Sequence, residues 1–441
     1  MYLNGGICMK AIIVYEVYNR EYDNCLLLKA ALERQECNVQ IVYKMDLVSQ
    51  TYSEEKTLIF IPNCYNSEDF KYYYYCANRA NALFINLQYE QVLSGDKLNL
   101  DYHMPKGKAT EIINICWGKA FANFLRGRGI DVNNIVVCGA MQLDFLRKEF
   151  ESFWINKKDI AEKYQLPLNL RWVLFISSFS FANNPLVNKA SDSELGKNNN
   201  LDFRNLSIES RNVILKWFDR YLESNTDAVI IYRKHPMEVY DKSFSSISEK
   251  YPDRFLKISD YNIKQWIMIS DSICNWYSTS GVECVAANKP FDILRPYPMP
   301  PEKEVTLYRG GHFIESYDEF VRSLQSKQKD FPFDVTRVYN DYKIDEIPAY
   351  RKIVDFSMAY YGRSESASYW DKDFLFNRKK YVVKHKIKIK YNLKKFYQLL
   401  YRRGFKINSK KIRRKYFVDD WEFQALLIDD RDKYRKIKSI I

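Results

Sequence analysis

The sequence predicts an α/β protein built from two doubly wound, parallel-sheet domains followed by a basic C-terminal segment, and three observations carry that prediction. Apolar runs of strand length recur along the chain, starting with Ala11-Ile12-Ile13-Val14-Tyr15. They alternate with stretches of helical periodicity, which is the pattern of βαβ units and therefore of parallel strands. The positive charge is concentrated in one stretch near the C-terminus. A chain of 441 residues has room for about two domains of roughly 100 to 200 residues each.

The first strand is followed by a helical stretch with Leu26, Leu27, Ala30, Ala31 and Leu32 on its apolar side, and then by a second strand, Val39-Gln40-Ile41-Val42-Tyr43. Further strands are expected at Leu58-Ile59-Phe60-Ile61, Ala82-Leu83-Phe84-Ile85-Asn86-Leu87 and Ile135-Val136-Val137-Cys138. Residues from about Glu149 to Arg171 are charged and helical, contain Pro167, and serve as the connection between domains. The second half restarts with Trp172-Val173-Leu174-Phe175-Ile176 and continues through strands near Ala228, Phe255, Ile273 and Phe291. Asn183 to Asn205, with Asn198-Asn199-Asn200 inside it, is polar and rich in breakers and reads as a loop. The expected divisions are 9–150, 170–345 and a helical, basic 346–441.

Composition excludes several classes. Lys and Arg number 68 against 55 Asp and Glu, but 17 of the basic residues lie between Arg378 and Lys415 with no acidic residue among them, so the remainder is mildly acidic. A nucleic-acid function would rest on that segment alone, and no recognised module accompanies it, so no nucleic-acid partner is expected. No apolar run approaches the roughly 20 residues that span a bilayer, and the N-terminus lacks a signal-peptide pattern, so a cytoplasmic protein is expected. The nine cysteines form no C-x-x-C pair and mostly sit in apolar runs, so neither a zinc site nor a disulfide framework is expected.

Two motifs point to anion binding. Cys274-Asn275-Trp276-Tyr277-Ser278-Thr279-Ser280-Gly281-Val282-Glu283 reads as a buried strand running through small hydroxyl residues into a helix. Free N–H groups and the positive end of the helix would face an anion there, with Ser278, Thr279 and Ser280 adding hydroxyl donors. Upstream, the run Ala228-Val229-Ile230-Ile231-Tyr232 delivers Arg233-Lys234-His235-Pro236 to the carboxyl end of a strand, where ligands of open α/β sheets bind. Each motif also has a plain structural reading. His235 can be a strand-end histidine bonded to a local carbonyl with Pro236 ending the strand, and Ser280 can be an N-cap. Ser280-Gly281-Val282-Glu283 has capping-box spacing, in which Glu283 bonds back to the cap.

The order Arg-Lys-His-Pro, Ser-Thr-Ser-Gly-Val-Glu and Asn288-Lys289-Pro290 resembles the bacterial surface-carbohydrate transferases, a GT-B group related to capsule-type Kdo transferases, polysialyltransferases and CDP-glycerol glycerophosphotransferases. Three N-terminal segments resemble the same family: Glu16-Val17-Tyr18-Asn19-Arg20-Glu21-Tyr22-Asp23, Asn86-Leu87-Gln88-Tyr89-Glu90-Gln91 and Gly139-Ala140-Met141-Gln142-Leu143-Asp144. The resemblance runs from about Ala11 to Pro296. It implies two Rossmann-type domains facing a cleft, a nucleotide-activated sugar as donor, and a glycan or lipid-linked glycan as acceptor. By the same resemblance Arg233, Lys234, His235, Pro236, Ser278, Thr279, Ser280, Gly281 and Glu283 bind the nucleotide, with His235 on the phosphate and Glu283 on the ribose. CMP-Kdo is the donor it suggests first. A CDP-polyol phosphotransferase and a non-catalytic scaffold for polysaccharide assembly are the alternatives. No cofactor and no metal are expected.

Glycosyl transfer needs a carboxylate or imidazole to take the acceptor proton or to act as nucleophile. Glu90, just past a strand exit, is the first catalytic candidate, and Glu16 and Glu21 follow, with Arg20 set to hold the acceptor. Each of these could equally be a loop-ordering ion pair. Asp144 reads as an N-cap or loop anchor. In the tail, Leu393, Phe396, Tyr397, Leu400 and Tyr401 share a helical face flanked by Lys394, Lys395, Arg402 and Arg403. That pattern suits an anionic membrane surface, at the inner face of the cytoplasmic membrane, and it also suits a helix packed on the body with its basic side in solvent.

Overall fold

The computed structural model describes residues 9–91, 101, 104–183, 197–235, 238, 242–326, 330–364, 373–384, 389, 392–393, 396–397, 399–400, 403, 405 and 430–441, of which 183, 197–201 and 242–243 are described by backbone only. The chain forms two compact units. The first takes Met1–Gln91, His103–Phe145 and Asn340–Ile441, and the second takes Val92–Tyr102 and Leu146–Tyr339.

The first unit contains strands β1 (Lys10–Tyr15), β2 (Asn38–Tyr43), β3 (Thr57–Ile61), β4 (Ala82–Asn86), β5 (Ile113–Cys116) and β6 (Ile135–Val137), in the order β2-β1-β3-β4-β5-β6. Every pairing is parallel. The middle strands β3 and β4 are buried at every position, as a parallel sheet covered on both faces requires. Helix α1 (Tyr18–Glu33) buries Leu26, Leu27, Leu28 and Leu32. Helix α2 (Ser67–Ala77) begins where the Asn66 side chain accepts from the Glu68 and Asp69 N–H groups. It ends at Asn78, in the left-handed conformation at φ 56° that Asn tolerates better than most residues. Helix α3 (Lys119–Gly127) lies between β5 and β6.

The second unit opens with helix α4 (Lys157–Tyr164). It is built on β7 (Arg171–Ile176), β8 (Ala228–Arg233), β9 (Phe255–Ile258), β10 (Ser272–Asn275) and β11 (Asp292–Ile293), ordered β11-β10-β7-β8-β9 and also all parallel. A short helix at Ser180–Asn183 follows β7, and helices α5 (Lys197–Ser224), α6 (Lys242–Lys250), α7 (Ile263–Ile269), α8 (Gly281–Ala286), α9 (Tyr317–Gln325) and α10 (Val335–Tyr342) come after it in chain order.

Each sheet reverses direction once. In the first, β2 lies on one side of β1 and the later strands on the other; in the second, β8 and β9 lie on one side of β7 and β10 and β11 on the other. Crevices outside the carboxyl ends of strands at such reversals are where open α/β sheets bind ligands. The reversal falls between β1 and β3 in the first unit and between β7 and β10 in the second.

The structure differs from the sequence reading at three places. Residues 197–205, read as loop, open α5: Phe203 is buried against Trp276 at 6.1 Å between ring centroids, and this packing overrides the local polarity. Of the remaining loop expectation, 184–196 lies outside the described residues. Strand β5 went unread because Asn114 interrupts its short apolar run; that side chain is buried and accepts from Asn86 Nδ2 at 3.0 Å. The segment from 346, given its own division with packing on the body left open, groups in its described parts with the first unit. Helix α11 (Ala349–Arg363) starts on the Asp144 carboxylate, which accepts from the Ala349 and Tyr350 N–H groups at 3.0 and 2.8 Å. Helix α12 (Phe374–Lys384) contributes Phe374, Tyr381 and Val382 to the core, and helix α13 (Arg431–Ile440) lies along α1. There Asp430 accepts from the Tyr18 hydroxyl at 2.7 Å, and Lys433 pairs with Asp23 at 2.9 Å.

Candidate functional site

In the second unit, strand register brings the two anion-binding motifs to the same sheet edge. Ile293, Asn275, Ile176, Arg233 and Ile258 form one row of partners across β11, β10, β7, β8 and β9. The chain therefore leaves the sheet at Trp276, at Ser177 and at Lys234 on a common edge. β7 alone separates the two motifs, a spacing of about 10 Å at roughly 4.8 Å per strand. The exits on either side of the reversal are joined by the Tyr277 N–H, which donates to Ser178 Oγ at 3.1 Å.

Glu238, which sequence reasoning missed, organises the basic exit. Its buried carboxylate accepts from Ser177 Oγ at 2.5 Å, from the Tyr232 hydroxyl at 2.8 Å and from the His235 N–H at 3.2 Å. It thereby ties the end of β7 to the backbone of His235. Burial raises its carboxyl pKa against the pull of those donors. The only signal in sequence was its place three residues after His235. Arg233 Nη2 donates to the Tyr261 carbonyl at 2.7 Å and Lys234 Nζ to the Glu238 carbonyl at 3.2 Å, so both cations are held at the edge. Burial, with the Lys234 charge acting the same way, pushes the His235 pKa down to about 4, so its imidazole is neutral at pH 7 and can offer one N–H. Pro236 lies outside the described residues.

The Ser-Thr-Ser-Gly turn differs from its expectation. The Ser280 N–H donates to Ser278 Oγ at 3.2 Å, the Gly281 N–H to the Ser278 carbonyl at 3.4 Å and the Val282 N–H to the Thr279 carbonyl at 3.2 Å. These amides are consumed by the turn itself, and α8 spans only six residues. Ser278 is buried, Ser280 is half-buried and Thr279 is exposed, so of the three hydroxyls those of Thr279 and Ser280 are the more accessible. Gly281 is required for packing: a Cβ there would stand 2.6 Å from the Tyr308 hydroxyl oxygen and 2.9 Å from Phe291 Cζ. The capping box is absent, since the Ser280 side chain makes no cap bond. Glu283 is half-buried; burial raises its carboxyl pKa, with the buried Lys264 pulling the other way. Behind the turn, Arg295 Nη2 donates to both Glu304 carboxylate oxygens at 2.7 and 3.0 Å, and its Nη1 donates to the Trp276 carbonyl.

In the first unit the predicted acidic residues meet in one network that gathers the exits of β1, β2, β3 and β4. The Glu16 carboxylate accepts from Lys44 Nζ at 2.9 Å and from Asn63 Nδ2 at 2.8 Å. Burial raises its pKa, but Lys44 and Asn63 outweigh it and the net shift is downward. Glu21 is fully buried and accepts from the Glu16 and Val17 N–H groups at 2.7 and 3.1 Å, which fixes the start of α1. Arg20 Nη2 donates to Glu21 at 2.7 Å, and its Nη1 reaches Glu90 at 2.5 Å. Enclosed in this way, Glu21 directs Arg20, while Glu16, Arg20 and Glu90 keep side-chain exposures of 37, 39 and 39%.

Glu90 sits on a rigid loop. Gln88, at φ 48°, is buried and donates its N–H to Asn86 Oδ1 at 3.2 Å. Gln91 donates to the Gln88 and Ile115 carbonyls at 2.9 and 2.8 Å and accepts from the Trp117 N–H at 2.8 Å. Every polar group of the Gln91 amide works in this clamp, a task a carboxylate could not perform because it has no hydrogen to donate.

Two doubly wound parallel sheets in one chain give a fold of the GT-B type. The structure is similar to that of the wall teichoic acid polymerase TagF, with 13% identity, a TM-score of 0.52, and coverage of 80% of this chain and 89% of that one. It is also similar to a UDP-N-acetylglucosamine 2-epimerase, with 12% identity, a TM-score of 0.50, and coverage of 82% of this chain and all of that one. At these identities the likeness is one of fold. No family model matches the chain, and no curated protein matches its sequence.

Proposed function

We propose that the protein is a GT-B glycosyltransferase that moves a sugar from a nucleotide-activated donor, with CMP-Kdo the first donor to test, to a growing cell-surface polysaccharide. The observation that carries this reading is the register row that sets Arg233-Lys234-His235 and Thr279-Ser280 on one edge, on either side of the reversal in the second sheet. Two cations, an imidazole N–H and two hydroxyls suit a nucleotide phosphate, and they stabilise it most as it departs with full charge. In the reaction an acceptor oxygen bonds to the anomeric carbon while the bond from that carbon to the phosphate oxygen breaks. The acceptor proton passes to Glu90, which Arg20 orients, and the nucleotide leaves as an anion. The phosphate charge is met by Arg233 and Lys234, so the proposed reaction needs no metal. The acceptor is a glycan, lipid-linked in the fullest form of the proposal, and the protein works peripherally at the inner face of the cytoplasmic membrane.

A CDP-polyol phosphotransferase would use the same edge for the same cytidine nucleotide, so donor identity separates the two. Calorimetry with CMP, CDP and UDP tests the shared part. At least one nucleotide binds wild-type protein, and His235→Ala weakens that binding about ten- to a hundredfold, the expected loss for one hydrogen bond to a charged group at about 1.5 to 3 kcal/mol. Equal affinity in the variant would remove His235 from the site.

A further inference from the structure

We propose that the outward face of helix α12 docks on an anionic lipid bilayer. One side of this helix is fixed to the first unit. Phe374 packs on Tyr74 at 5.1 Å and Tyr381 on Tyr75 at 5.4 Å between ring centroids, Val382 is buried with them, and Arg378 Nη2 donates to the Val48 carbonyl at 3.1 Å. At 3.6 residues per turn the opposite side carries Phe376, Lys379, Lys380 and Val383, with Leu375 on the flank next to Val382. Leu375, Phe376 and Val383 are 54, 68 and 66% exposed, and both lysines are exposed among them. The inner contacts set the rotation of the helix, so this apolar and basic face is a fixed feature of a folded element.

The occupant follows from charge. The 17 basic residues without an acid between Arg378 and Lys415 begin on this helix, and Ile389, Phe396, Leu399 and Phe405 in the same stretch are also about half exposed or more. A second copy of the chain would bring like charges together, whereas an anionic surface takes the apolar side chains into its headgroup region and the lysines onto its phosphates. Of the tail residues first expected to do this, Lys394, Lys395 and Arg402 lie outside the described residues; Phe396 and Arg403 are exposed, and Tyr397 and Leu400 are half-buried. Among the described residues no helix is long and apolar enough to cross a membrane.

The inference rests on the membrane placement proposed above and names the element responsible, and one co-sedimentation series separates the two. Full-length protein is spun with vesicles of phosphatidylcholine alone and of phosphatidylcholine and phosphatidylglycerol in equal parts. Wild type should pellet with the second only. Lys379→Gln with Lys380→Gln should lower its partition about thirtyfold, and Phe376→Ser with Val383→Ser at least tenfold, both without change in thermal midpoint because neither pair touches the core. If both α12 variants pellet like wild type while a variant with Lys394, Lys395, Arg402 and Arg403 all changed to Gln does not, the membrane placement stands and α12 is not its site. Failure of wild type to pellet with either vesicle overturns both. Dimers in sedimentation equilibrium that the α12 changes dissociate would assign the face to a second copy and overturn the inference.

Discussion

Glu90→Gln lowers the transfer rate by about 10²- to 10⁴-fold, the usual contribution of a positioned general base, and leaves nucleotide affinity unchanged. The substitution preserves the shape of the side chain, and its carbonyl oxygen can still accept from Arg20 Nη1, so the loop held by Gln88 and Gln91 has no reason to move. What it removes is the capacity to take a proton. The loss should therefore fall on kcat rather than on donor binding, and steady-state kinetics beside calorimetry reads the two separately. Wild-type turnover in this variant would transfer the role to Glu16, whose carboxylate lies in the same network at similar exposure. Glu21 is the poorer substitute because it is fully enclosed.

Arg295→Met destabilises the protein by about 3 to 5 kcal/mol, the usual result of removing one partner of a buried ion pair. The Arg295 side chain is 2% exposed and that of Glu304 11%, so deleting the guanidinium leaves a carboxylate enclosed without its cation. The Trp276 carbonyl at the β10 exit loses its donor at the same time. Chemical denaturation at neutral pH measures the loss. A companion Arg295→Met with Glu304→Leu removes both charges and should recover most of the stability. If the double variant is no more stable than the single, the lost packing of the arginine stem, and not the stranded charge, accounts for the effect.

The strands clearest in sequence are those whose apolar runs are continuous, because burial on both faces of a parallel sheet leaves no polar position to confuse the pattern. β3, β4, β7 and β8 belong to this group. β5 was hidden by Asn114 and the start of α5 by its asparagines, in both cases because a distant partner decides the local structure. At the site, the residue types on the strand exits could be read, but the fixtures behind them could not. Glu238 reaches Ser177 across 61 positions, Arg20 reaches Glu90 across 70, and Glu16 meets Lys44 and Asn63 only because β2 and β3 flank β1. Hydroxyl residues ahead of a helix suggested free amides, whereas the Ser280, Gly281 and Val282 amides are bonded within the turn. That outcome depends on backbone angles that composition does not encode.

An enzyme acting on a nucleotide-activated donor releases free nucleotide from that donor. Purified full-length protein is incubated with CMP-Kdo, CDP-glycerol and UDP-N-acetylglucosamine in turn, with and without membrane-derived acceptor, and the nucleotide product is quantified against Glu90→Gln. The expected result is release from a cytidine-activated donor, stimulated by acceptor and lost in the variant, with CMP as the product if the donor is CMP-Kdo. Binding of nucleotide with no release from any donor under any condition would contradict it and leave the protein a non-catalytic scaffold.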